Sequence, residues 1–408
     1  MQTPEKGKIL ILRLYDKILS VLICRNHILS IQADDADSDS AIGNIYVGRV
    51  QNISHNIGAA FVEIQKGLLT FLPLTEAKSA CITNRKPDGI LKIGDELLVQ
   101  LVKEPVKTKL AGVSARLSLA GSYTVIAPGS GIKISSKLGK KYDHLYKNLV
   151  PLQDIAAHFT LTIRTNAASL EEPDAVIAEA QALAARMERL LSTGDKRTCF
   201  SCLYQSDPAW LSFIRNCYQS EYDEIITDEK DIYETLLHEG YKPSNENKTA
   251  AMVRFYEDDR LPLYKLYSIE TRIRELLAKK VWLKSGAYLV IEQTEALVAI
   301  DVNTGKYESR KNPEETYLKI NLEAAEAIAE ALRARNLSGM ILIDFINMKK
   351  QEHVRQLMEY MKTLLKKDAV PAYVVDITGL GLMEITRQKK NKPFAEQMRS
   401  LRKGYADP

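Results

Sequence analysis

The 408 residues are 45% hydrophobic and 26% charged, with 56 basic and 52 acidic side chains and a formal net charge of +4. That length supports more than one hydrophobic core, and the charge excess alone does not mark a nucleic-acid binder. No apolar run reaches the roughly 18 residues of a membrane span, and no signal-peptide core follows the first residues, so a cytoplasmic protein without membrane partners is expected. Basic residues do cluster, in Lys103 to Lys109, Lys133 to Lys147, Lys349 to Lys367 and Arg387 to Lys403, although such runs are ordinarily solvated surface. The cysteines Cys24, Cys81, Cys199, Cys202 and Cys217 form no even disulfide framework, as suits a reducing compartment. Cys199-Phe-Ser-Cys202 has metal-like spacing, but no second Cys pair or His pair accompanies it, so zinc is not expected there.

In chain order, Lys8 to Ile31 alternates apolar and polar residues and predicts a β-hairpin, followed by a polar linker over Asp34 to Ser40. From Asn44 to about Arg116, short strands separated by glycine and polar turns predict a small β-barrel of the OB type. A strand over Leu161 to Thr165 precedes an alanine-rich helix, Asp174 to Leu191. The stretch from Trp210 ends in a predicted helix, Ser268 to Lys280, with Ile269, Ile273, Leu276 and Leu277 on one face. The last segment alternates strands and helices. Tyr288-Leu-Val-Ile-Glu and Leu297-Val-Ala-Ile-Asp301 predict a hairpin, and a helix follows from about Pro313 to Arg335. Then come the strand Met340-Ile-Leu-Ile-Asp344, a helix from His353 to Leu365, and the strand Ala372 to Asp376.

The strands that deliver Asp301 and Asp344 carry the most chemistry. A right-handed strand–helix–strand crossover sets them parallel and near each other, with both carboxylates at one edge of the sheet. Two carboxylates beside apolar side chains repel, and a cation is their natural companion. A hard divalent ion such as Mg²⁺ is held by one or two carboxylates and keeps waters for a substrate. The plainer alternative is that both aspartates are turn or capping residues.

Gly48-Arg-Val-Gln-Asn-Ile, Gly58-Ala-Ala-Phe61-Val-Glu-Ile and Thr70-Phe71-Leu-Pro-Leu resemble an S1 RNA-binding domain. In such a barrel, Phe61 and Phe71 would stack on unpaired bases with Lys109 near the phosphates; the competing reading is core packing. Further matches are Leu117-Ser-Leu-Ala-Gly121-Ser-Tyr123, Ile163-Arg164-Thr165, Glu295 to Asn303, Asn321-Leu-Glu-Ala-Ala, Ile341 to Ile346 and Gly381-Leu-Met-Glu-Ile-Thr-Arg. Together, and in the same order from about Lys8 to Lys390, they resemble the ribonuclease E/G family of endoribonucleases.

The resemblance implies an α+β and α/β multidomain chain. Residues 1–39 and 210–278 would form a split RNase H-like domain, 40–116 an S1 OB-type β-barrel, 117–209 a 5′-sensor region, and 279–398 a DNase I-like α/β catalytic domain, with 399–408 a tail. It also implies catalytic Asp301, Asn303 and Asp344, with Asp301 and Asp344 as ligands to Mg²⁺ or a substituting Mn²⁺. A 5′-monophosphate pocket would use Gly121, Val125, Arg164 and Thr165, since guanidinium donates paired hydrogen bonds to phosphate and a hydroxyl adds another. The implied reaction is cleavage of single-stranded RNA (rRNA and tRNA precursors, mRNA) to 5′-phosphate products. The family's Cys-Pro-x-Cys element, through which two subunits share zinc, has no match here, since no cysteine lies beyond Cys217; any homodimer is therefore expected to form without a zinc link. Gly379 stands where the family more often has arginine, and the compact form is similar to ribonuclease G. The alternative from a different class is a non-catalytic S1-type RNA-binding protein that keeps the barrel without the chemistry. A metal-dependent DNA nuclease fits the carboxylates but not the barrel.

Overall fold

The computed structural model describes residues 6–25, 27–36, 42–105, 110–170, 172–243, 252–258, 260–305 and 313–399. The chain divides into two compact units, one made of Met1–Ser38 with Cys217–Pro408 and the other of Asp39–Asn216.

In the Asp39–Asn216 unit, five strands close into a barrel. Ile45–Ser54, Ala59–Gln65 and Leu68–Pro73 pair in sequence, Ala111–Ser114 follows, and Glu96–Lys103 closes the ring by pairing back onto Ile45–Ser54. The side-chain period of two sorts the residues: Ala60, Val62 and Ile64 enter the core with Val50, Leu72 and Val99, while Phe61 and Glu63 point outward. The short strand Cys202–Tyr204 adds to the outer edge of Ile45–Ser54. A second sheet, ordered Ile132–Ile134, Phe159–Ile163, Thr124–Pro128, Leu119–Ala120, packs on the helix Asp174–Thr193. That helix buries Val176, Ala180, Met187 and Leu190 against Ile126, Leu161 and Ile163.

The other unit holds two six-stranded sheets. In the first, the N-terminal strands Gly7–Leu14, Lys17–Cys24 and His27–Asp35 join Tyr222–Thr227 and Met252–Phe255 through parallel pairing of Gly7–Leu14 with Tyr222–Thr227. The expected linker over Asp34 to Ser40 is corrected at its start, because Asp34 and Asp35 pair with Ile18 and Lys17 as the end of a strand; residues 37–40 lie outside the described residues. Likewise, the predicted Ser268–Lys280 helix spans Ile269–Leu277. Lys280 instead begins the strand Lys280–Trp282, because Ala278 is already extended.

The second sheet runs Lys280–Trp282, Tyr288–Gln293, Leu297–Asn303, Gly339–Asp344, Met383–Arg387, Ala372–Ile377 in space. Leu297–Asn303 and Gly339–Asp344 are its parallel pair, joined by the helix Pro313–Ala334. One face buries Leu289, Ile291, Val298, Ile300, Ile341 and Ile343 together with Ile320, Ala324, Ile328 and Leu332 of that helix and Leu357 and Met361 of Gln351–Leu365. Residues of the opposite parity, among them Tyr288, Ala299, Asp301, Leu342 and Asp344, form a face that remains open within this sheet's own layers. No helix among the described residues is long and apolar enough to cross a membrane.

Candidate active site

The carboxylate pair sits on that open face. Asp301 and Asp344 are register partners on the two parallel strands, which puts their backbones one strand spacing, about 4.8 Å, apart. Both are exposed, each following a strand run whose alternate residues are buried, Val298 and Ile300 before Asp301 and Ile341 and Ile343 before Asp344. Asn303, two residues along the same strand and so on the same face, donates from its amide to Asp301 Oδ2 at 2.6 Å. That bond fixes one oxygen of Asp301 and leaves the other available.

Two features hold the ends of these strands. After Asn303 the chain turns at Gly305, φ +64°, where a Cβ would meet the Gly286 carbonyl oxygen at 2.4 Å, so only glycine fits. After Asp344, the fully buried Asn321 of the Pro313–Ala334 helix brackets Ile346, donating to its carbonyl at 2.8 Å and accepting from its N–H at 3.0 Å. A buried carboxamide satisfied by the N–H and C=O of one residue is a positional clamp.

The donor set is two carboxylates and a carboxamide, all hard oxygen ligands of the kind Mg²⁺ takes while keeping several waters. Among the described residues, no three His, Cys, Asp or Glu side chains converge as a metal cage. The group therefore suits an ion that shares its shell with solvent and substrate. Glu384, half-buried and paired with Leu342, lies on the same face, as the alternation of Met383-Glu-Ile-Thr-Arg387 allows, without joining the carboxylate pair as a third ligand. A concavity of about 540 Å³ lies elsewhere, lined by Arg186, Arg189, Arg197 and Tyr204.

On the barrel, Phe61 and Phe71 are directly opposed across Ala59–Gln65 and Leu68–Pro73, half-exposed and outside the barrel core. Phe71 also pairs with Gly112, and the Lys103 side chain lies over Gly112, 3.2 Å from where a Cβ would be. Lys103 thus lies across Gly112 from Phe71; Lys109 lies outside the described residues.

In the expected 5′-phosphate region, the Arg164 guanidinium bonds the Gly121 carbonyl oxygen and, at 2.6 Å, Asn216 Oδ1. Val125 pairs with Thr162 on the neighbouring strand, and the Thr165 hydroxyl meets that of Ser135 at 2.9 Å. Gly121 is required by close approach, since a Cβ there would lie 2.3 Å from the Glu179 carboxylate. Glu179 accepts the amides of Ser122, Tyr123 and Thr124 at 2.6, 2.8 and 2.8 Å. An internal carboxylate therefore fills this ring of amides, and the carbonyl of the same loop orients Arg164. Gly121, Arg164 and the strand bearing Val125 are brought together, while Thr165 points to Ser135.

In the Cys-x-x-Cys element, burial pushes both the Cys199 and Cys202 thiols upward in pKa.

The chain belongs to the ribonuclease E/G family, whose sequence model matches residues 118–390. Among its relatives, it is 32% identical over 361 residues to ribonuclease G of Escherichia coli K12, covering 85% of this chain and 73% of that one. It is 31% identical over 363 residues to ribonuclease G of Haemophilus influenzae, 85% of this chain and 72% of that one. Against ribonuclease E of Nostoc sp. PCC 7120 the identity is 29% over 364 residues, 87% of this chain and 52% of the relative. The matched family span contains Asp301, Asn303, Asp344 and the Arg164 region, and begins after the barrel.

Proposed function

We propose that this chain is a Mg²⁺-dependent endoribonuclease that cuts single-stranded RNA to 5′-phosphate products and favours 5′-monophosphate ends. The observation that carries the reading is the in-register Asp301–Asp344 pair with Asn303 bonded to Asp301, within a chain of the ribonuclease E/G family. Asp301 and Asp344 would hold the ion, and Mn²⁺ would substitute. When bound, Mg²⁺ supplies charge stabilisation at the scissile phosphate and a water of lowered pKa. Asn303 orients Asp301 and, because its amide donates where a carboxylate only accepts, prevents a third negative charge at the centre. Phe61 and Phe71 would hold unpaired bases by stacking, with Lys103 and Lys109 as the cationic partners of the phosphates. Arg164 and Thr165, with the Gly121 and Val125 backbone, receive the 5′-phosphate. In domain terms we read 1–39 with 210–278 as RNase H-like, 40–116 as S1, 117–209 as the 5′-sensor and 279–398 as DNase I-like. The substrates would be rRNA and tRNA precursors and mRNA in the cytoplasm, with any homodimer formed without zinc.

The test is cleavage of one AU-rich RNA, carrying a 5′-monophosphate or a 5′-hydroxyl, with and without Mg²⁺. Asp301→Ala and Asp344→Ala should each lower the rate by roughly 100-fold or more, with RNA affinity retained. Wild-type cutting speed in Asp301→Ala at limiting Mg²⁺ would sink the assignment. RNA binding by the wild-type chain without any cutting would leave a binding protein instead.

A further inference from the structure

One exposed aromatic group has no role in the assignments above. Trp282 is 63% exposed, whereas the chain's other tryptophan, Trp210, is 7% exposed. Leaving a large indole in water gives up substantial apolar burial, so a partner for it is the economical explanation. Trp282 packs at a tilt on Tyr288, with ring centroids 5.2 Å apart. The Lys280 ammonium is seated on both rings, 3.9 Å from the Trp282 centroid and 3.6 Å from that of Tyr288. No carboxylate pairs with Lys280 among the described residues, so the rings are its neighbours and its charge remains available to an anion.

The sheet register places this group beside the carboxylates. Trp282 pairs with Tyr288, and Tyr288 with Asn303. Lys280 pairs with Val290, Val290 with Asp301, and Asp301 with Asp344. Val281, between Lys280 and Trp282, packs into the helix-covered core, so Lys280 and Trp282 face the same open side as Asp301. Two strand spacings separate the Trp282 and Asn303 backbones, about 10 Å.

We infer that Trp282 and Tyr288, with Lys280 between them, form a binding subsite for an unpaired nucleobase and the phosphate next to it, on the strand whose neighbouring phosphodiester lies over Asp301 and Asp344. This rests on the reading of that pair as the cleavage centre. The occupant is single-stranded RNA because an exposed ring offers a stacking surface that any base satisfies, while an adjoining unpaired ammonium complements the backbone. A protein surface would have no need of a cation in line with the carboxylates. Trp282 thereby orients the substrate along the row that ends at Asn303.

The experiment uses the full-length chain in an Asp344→Asn background, which spares the RNA, and a single-stranded ten-nucleotide RNA as probe. Indole fluorescence should be quenched on titration, and the quench should persist in Trp210→Phe and vanish in Trp282→Phe. In the active chain, Trp282→Ala should raise KM roughly 5- to 100-fold on the stacking scale with kcat changed far less, and Trp282→Phe should recover part of it. Circular dichroism checks that each variant is folded, which the exposure of Trp282 favours. Quenching that survives Trp282→Phe, or an unchanged KM in Trp282→Ala, overturns the subsite while wild-type cleavage keeps the proposed activity. A concentration-dependent blue shift without RNA overturns it in favour of a second copy of this chain. Absence of cleavage by the wild-type chain removes the proposed activity and the subsite with it.

Discussion

Replacing Asn321 with alanine tests whether the clamp behind Asp344 matters. The side chain is fully buried and makes two bonds to the backbone of one residue, donating to Ile346 O at 2.8 Å and accepting from Ile346 N at 3.0 Å. Asn321→Ala removes both and leaves the half-buried Ile346 N–H and C=O without these partners, each worth up to about 1–3 kcal/mol. Partial relaxation and water entry would recover some of that, so about 2–4 kcal/mol of local stability should go. A chain with two units need not unfold in one transition, so a global midpoint is a poor readout. Hydrogen exchange of the peptide spanning residues 340–348 is the direct one, and the loss corresponds to roughly 30- to 1,000-fold faster exchange there. Cleavage should fall in parallel, since Asp344 lies two residues before Ile346. Asn321→Asp keeps the acceptor but loses the donor and buries a carboxylate, whose folded pKa would rise. Its stability should therefore fall as pH rises above the unfolded carboxyl value of about 4 and recover in acid, where the protonated carboxyl again donates. Exchange and activity in Asn321→Ala equal to wild type would refute the clamp.

Phe61→Ala and Phe71→Ala should each weaken single-stranded RNA binding by roughly 1–3 kcal/mol with unchanged circular dichroism; loss of folding instead would return these rings to the core. Arg164→Gln should abolish the difference in cleavage rate between 5′-monophosphate and 5′-hydroxyl RNA, a ratio that simple loosening of the Gly121 and Asn216 contacts would leave intact. For Glu224, burial works against the charge, but hydrogen bonds from Lys8 and Arg254 outweigh it and hold the carboxyl below its ordinary pKa. The stability it contributes is present above the unfolded carboxyl value and lost as pH falls through the lower folded one. Glu224→Gln should therefore cost about 1–3 kcal/mol at pH 7, with the difference from wild type shrinking below about pH 4; a pH-independent difference in denaturant midpoint would contradict this.

The local code was legible in the chain. Runs such as Val298 to Ile300 and Ile341 to Ile343, each followed by an aspartate, state a buried strand with a carboxylate at its end because alternation and branching are local properties. The helix between them was legible for the same reason, and its observed span, Pro313–Ala334, differs from the sequence expectation by one residue. The motifs around Asn303, Arg164 and Phe61 were readable as a family resemblance. Register was not readable. That Asp301 faces Asp344, that Phe61 faces Phe71, and that Gly7–Leu14 joins Tyr222–Thr227 depend on pairing between segments remote in sequence, which alternation alone leaves free to slip. The use of Glu179 to fill the amides after Gly121, and of Asn321 to hold Ile346, could not be foreseen either. A carboxylate or carboxamide on a helix looks like ordinary surface until packing buries it against one particular loop. Trp282 is the converse case: its strand is three residues long and falls where helical periodicity predicted the end of a helix. Only the sheet, by adding that strand beside Tyr288, set the indole in a row with Asn303.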